Sequence, residues 1–206
     1  MMEVESRPGL AELVYGILFT PSATFRRVAD DPPLFHGFII FLTVTILTSL
    51  TASLIPPDVS IPPEFADAYA KVRPFMGIMG ALLAFIFWFI QAGVLQVIAE
   101  FFEGQGRAIG VLTVLALADI PRVLVIPFQI ISYFSAGSFF GSFLTVMASL
   151  IALVWWLVLS VIGIREIQRF STGKAVVTLL TPLAVIIIVI VLITIALVGF
   201  ITPFIQ

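Results

Sequence analysis

An acid and a base stand three residues apart inside an apolar run: Asp119 and Arg122, with Pro121 between them, in the stretch Ala108 to Phe134. Helical i,i+3 spacing puts both on one face, where they can neutralise each other. Gln129 and Tyr133 continue the same stripe. A charge at the bilayer centre costs roughly 3 kcal/mol on insertion scales, so the pair is expected to face protein or water. Pro121 has no N–H and leaves the Leu117 carbonyl for a side chain or water to satisfy. Gln91, deep in another apolar run, needs a partner as well. Asp119, Pro121, Arg122, Gln129 and Gln91 therefore make up the expected intramembrane polar site. Its chemistry is either a self-neutralising pair that bonds adjacent helices or a station on a path for ions, solutes or lipid.

Other chemistry is missing from the sequence. There is no Cys, hence no thiolate ligand, disulfide or Cys nucleophile, and the one His, His36, has no second His to share a metal with. HExxH and GxSxG patterns are absent. Gly173-Lys174 is not a phosphate loop, because no glycine precedes it by five residues and Ala175 follows. An intramembrane aspartyl enzyme needs two acids, and Asp119 is the only one deep in a span. No enzyme activity, cofactor or metal is expected. The formal charge of −2 argues against nucleic acid.

Composition says what must position the pair. The chain of 206 residues is 61% hydrophobic and 11% charged, against about 45–50% and about 25% in soluble domains. Its mean hydropathy is +1.21. Five runs approach the roughly 20 residues that cross a hydrocarbon core: Gly37 to Ile55, the interval between Arg73 and Glu100, Ala108 to Phe134, Phe139 to Ile164, and Ala175 to Thr202. Small residues suggest packing faces: Thr45, Thr48 and Ala52 in the first run, Gly77, Gly80, Ala81 and Ala84 in the second, and a Gly137, Gly141, Thr145, Ser149 ladder entering the fourth. The aliphatic fifth run belongs at the periphery, facing lipid. Pro56 to Arg73 reads as a loop, and Ser135 to Ser138 as a turn.

Ahead of the spans no cleavable signal peptide is expected. Leu10, Leu13, Val14, Ile17 and Leu18 form an apolar stripe opposite Glu12 and Gly16, which predicts an interfacial amphipathic helix. A second helix should start at Thr20-Pro21, with Thr20 as N-cap, Phe25 and Val28 facing inward, and Arg26 and Arg27 facing water or headgroups. The expected fold is an all-α, polytopic helix bundle with five transmembrane helices: residues 1–36 a cytoplasmic interfacial segment, residues 37–206 the five-span domain. With the N-terminus inside, Arg7, Arg26, Arg27, Arg107, Arg165, Arg169 and Lys174 fall on the cytoplasmic side and Lys71 and Arg73 outside. The positive-inside rule therefore favours N-in, C-out.

Three stretches resemble the Yip domain family, the Ypt/Rab-interacting integral membrane proteins, in a prokaryotic-type form. Leu18-Phe19-Thr20-Pro21-Ser22-Ala23-Thr24-Phe25 is similar to the family's pre-membrane entry. Glu103-Gly104-Gln105-Gly106 followed by Ala118-Asp119-Ile120-Pro121 resembles its glycine-containing loop and the helix with a polar residue two before a proline. Gly163-Ile164-Arg165 with Ser171-Thr172-Gly173-Lys174-Ala175 resembles the loop between the last two spans. Two departures stand out: an acid at Asp119, and a short N-terminal region.

The resemblance implies a non-enzymatic protein of the prokaryotic cytoplasmic membrane that binds membrane or cytoplasmic protein partners and helps organise or traffic membrane. Arg26, Arg27, Arg165, Arg169 and Lys174 are the expected partner or lipid contacts, and a homo-oligomer is open to it. The alternative is a small transporter, channel or lipid-moving protein that uses Asp119 and Arg122.

Overall fold

The computed structural model describes residues 9–54, 62–135 and 138–205. These residues form helices and no strand: α1 (Leu10–Phe19), α2 (Pro21–Asp30), α3 (Leu34–Leu54), α4 (Pro63–Phe101), α5 (Ala108–Ala118), a 3-10 segment (Ile120–Val125), α6 (Ile126–Phe134), α7 (Phe139–Gln168) and α8 (Thr172–Ile205). Five stretches are long and apolar enough to span a membrane: Leu34–Ala52, Phe75–Phe101, Ala108–Phe134, Phe139–Gln168 and Thr172–Val198. The protein is a polytopic all-α helix bundle.

α5 is its axis. Every residue from Gly110 to Ala118 is buried, because α3, α4 and α7 all pack on it. Side chains from two neighbours close on α4: Phe41 of α3 stacks on Trp88 at 4.3 Å, and the Trp88 indole donates to the Leu112 carbonyl of α5 at 3.0 Å. On α7, Gly163 leaves no room for a methyl, since a Cβ there would run into Val114 and Phe25. α8 is at the other extreme, with only 11% of its span buried.

The α1–α2 hairpin lies against one end of this bundle. Leu13, Ile17, Phe25 and Val28 are fully buried, so the apolar stripe of α1 and the inward face of α2 join the protein core. Gly16 is buried with them, not opposite them: it is where α1 crosses α2, and a Cβ there would collide with the Thr24 side chain. Pro21 opens α2 as expected, but Thr20 does not cap it through its side chain. Its hydroxyl turns back to the Gly16 carbonyl at 3.3 Å, since the same residue also terminates α1 with its N–H.

Other boundaries differ from the sequence expectation. α3 begins at Leu34, ahead of Gly37, and α4 begins at Pro63, so Pro63 to Arg73 are helical and lead into the second span instead of forming a loop. Proline suits the first helical position, where its missing N–H would be unpaired anyway. The rest of that loop, residues 56–61, and Gly137 lie outside the described residues. Gly80 has nothing within 4 Å of its would-be Cβ, so it is not a close-approach site, whereas Ala84 of the same face does pack on the core, beside Phe85, Trp88, Ala92 and Leu95. Of the fourth-span ladder, Gly141 and Thr145 pack on α6, while Ser149 is exposed. A Cβ on Gly141 would lie 2.9 Å from Ser132 Cα of α6, and the Thr145 hydroxyl donates to the Phe128 carbonyl at 3.1 Å.

Candidate functional site at the charged end of the bundle

The mid-span pair is built on a break. Pro121 disfavours α geometry in the residue before it and cannot donate, so α5 stops at Ala118 and the chain tightens into the 3-10 segment. The Asp119 N–H is turned to the Leu117 carbonyl that Pro121 leaves. Three residues per turn eclipses i and i+3, and the Arg122 Nη1 reaches both Asp119 carboxylate oxygens at 3.4 Å. The two ends differ sharply. The Asp119 side chain is 13% exposed and that of Arg122 is 58% exposed. Arg122 therefore opens off the bundle while Asp119 faces into it. Trp156 of α7 stands beside the carboxylate. Gln91 and Gln129 are half-buried, and no hydrogen bond among the described residues joins either to the pair. Asp119, Pro121 and Arg122 share one turn.

Polar contacts converge instead at the end carrying α1 and α2. Arg26 Nε donates to Glu166 Oε2 at 3.4 Å. Arg165 Nη2 donates to Glu166 Oε1 at 2.6 Å and to Ser22 Oγ at 3.3 Å. Glu166, its side chain 13% exposed, thus ties the hairpin to the end of α7. Arg27 pairs with Glu12 at 3.0 Å on the outer surface of the hairpin. Lys174 Nζ donates to the Phe102 carbonyl at 3.1 Å and lies over the Phe170 ring.

Beneath these charges lies a buried amide clamp. Gln168 has no exposed surface; its Oε1 accepts from the Gly106 N–H at 2.9 Å, and its Nε2 donates to Gln96 Oε1 at 2.8 Å. Gln96 Nε2 donates in turn to the Gly106 carbonyl at 3.2 Å and to Glu100 at 3.0 Å. The Gln105 N–H donates to the Gln168 carbonyl at 3.2 Å. Glycine is needed in this loop for space: a Cβ on Gly106 would lie 2.6 Å from the Ile167 carbonyl oxygen, and one on Gly104 would meet Gln168 Oε1. The clamp locks the α4–α5 connection onto the end of α7.

The Yip1 domain family model matches residues 15–193. The chain belongs to the Yip1 domain family. No curated protein matches the chain, and no solved structure does. The match runs from inside α1 to deep in α8, so the docked hairpin is part of the family domain. As a member of this family the chain is a non-enzymatic integral membrane protein. Among the described residues no group of three or more His, Cys, Asp or Glu is placed to hold a metal.

Glu166, Gln168 and Gln96 escape a reading of the sequence alone. Each stands near a span end, where polar residues are ordinary and usually solvated. Their one available signal is the Glu103-Gly104-Gln105-Gly106 motif, whose glycines imply that something presses on the loop.

Proposed function

We propose that this Yip-family protein is an adhesion platform of the prokaryotic cytoplasmic membrane, binding membrane or cytoplasmic protein partners through the α1–α2 hairpin and the Arg165 to Lys174 segment. One observation carries this: the hairpin is seated by Phe25, Val28 and Glu166, yet it leaves Tyr15 64% and Phe19 67% exposed, with their rings in contact. A rigid support that presents an aromatic pair beside exposed Arg27 suits protein recognition, in which aromatic and arginine anchors dominate. The charge count favours the cytoplasm as the side on which this face lies. Residues 1–36 form the cytoplasmic segment in this reading, with the C-terminus outside.

Cross-linking in native membranes followed by affinity capture tests it. Specific partners should be recovered with the wild type and lost with Tyr15→Ala/Phe19→Ala. Recovery of the same partners from both proteins, or of none above background, would sink the platform. A tag on the N-terminus should be protected in sealed cells and a tag after Gln206 exposed.

A second function is supported by the exposure of Arg122 at mid-span. An intramembrane cation that opens off the bundle suits a path for ions, solutes or lipid past Asp119 and Arg122. Flux through purified protein in liposomes, lost in Arg122→Gln, would establish it, and no flux across a broad panel would remove it.

A further inference from the structure

Six cations stand at the charged end among the described residues, and four are held by the chain itself: Arg26 and Arg165 by Glu166, Arg27 by Glu12, and Lys174 by the Phe102 carbonyl. Arg107 and Arg169 are different. Both are exposed, and neither side chain has a partner among the described residues.

Their backbones are fixed side by side. Arg107 is extended, immediately before α5. Arg169 follows Gln168, whose carbonyl and side-chain oxygen receive the N–H groups of Gln105 and Gly106. The two arginines thus flank the buried amide clamp in sequence and on a backbone that the clamp holds. Arg169 also closes α7 with a φ of 56°, a left-handed conformation that glycine adopts without strain and other residues seldom do. A residue held in that conformation, whose guanidinium has no hydrogen bond or ion pair among the described residues, points to a contact outside the chain.

We propose that Arg107 and Arg169 hold the phosphate of an anionic phospholipid at the rim of the bundle. The ends of the five spans lie at headgroup level on either side of a bilayer, and Phe101, 83% exposed on the same rim, matches the aromatic residues found at that depth. Guanidinium groups offer forked donors that fit phosphate oxygens two at a time. Glu103 also lies on this rim, next to Phe102, whose carbonyl accepts from Lys174.

The test uses the full chain purified in neutral detergent, titrated with phosphatidylglycerol, phosphatidylcholine or inorganic phosphate, with native mass spectrometry counting bound lipid and thermal unfolding reading stabilisation. Wild type should retain phosphatidylglycerol at least tenfold more tightly than phosphatidylcholine, and Arg107→Ala/Arg169→Ala should lose that preference while Lys71→Ala, an exposed cation at the other end of α4, keeps it. Should the double alanine variant fail to fold, Arg107→Lys and Arg169→Lys preserve charge but not the fork, and each should weaken binding severalfold. Unchanged phosphatidylglycerol affinity in these variants would overturn the proposal. So would equal stabilisation by inorganic phosphate, which would indicate a site for the free anion.

Discussion

Glu166 and Asp119 are carboxylates with the same 13% side-chain exposure, each facing arginine, yet they do different work. Glu166 takes two cations from two elements, one of them Arg26, 140 residues away in sequence. Asp119 takes one, from its own turn, at 3.4 Å. The first pairing crosses the fold and holds the hairpin in place. The second closes a local break and leaves its arginine open. Burial of the acid is equal, so what matters is where the cation comes from.

The largest loss is expected where the polar group is fully enclosed. Gln168→Leu strands the Gly106 N–H and one side of Gln96, and leaving a buried group unsatisfied costs about 1–3 kcal/mol each. Thermal unfolding should show a destabilisation of about 3 kcal/mol. Glu166→Gln comes next: it removes the charge that Arg26 and Arg165 share, and because Arg26 is largely exposed the loss should be about 2 kcal/mol, below the full cost of breaking a buried pair. Limited proteolysis should then cut within the hairpin before the bundle. Asp119→Asn should cost only about 1 kcal/mol, since Arg122 is 58% exposed. A loss of about 3–5 kcal/mol, appropriate to two enclosed charges, would mean that Arg122 is covered in the membrane and would erase the contrast. Arg27→Ala removes a pair exposed on both sides and should change stability by less than about 0.5 kcal/mol.

Much of this fold is legible in the sequence. Lipid demands long uncharged runs, so the five spans stand out, and the helical period of about 3.6 residues is enough to assign Phe25 and Val28 to the core. The Asp119–Arg122 contact follows from spacing alone. Its asymmetry does not, because which member faces the bundle depends on how α7 brings Trp156 to one side of the broken helix. Gln91 and Gln129 look equivalent to Gln96 and Gln168 as letters in the chain. Only the folded loop, pressed against α7 at Gly104 and Gly106, shows which glutamines meet. Glu166 is opaque for the same reason: its partner Arg26 is distant in sequence and looks like a solvated topology charge.

The N-terminal hairpin is a clamped part of the bundle, not a helix lying free in the interface. Hydrogen exchange over residues 10–30, compared between wild type and Glu166→Gln in the same nanodiscs, tests it most directly. Wild-type amides there should be protected, and the variant should exchange faster by at least tenfold while residues 110–118 stay protected in both. Identical exchange of the hairpin in the two proteins would contradict the clamp, because a helix held by lipid alone has no reason to respond to Glu166.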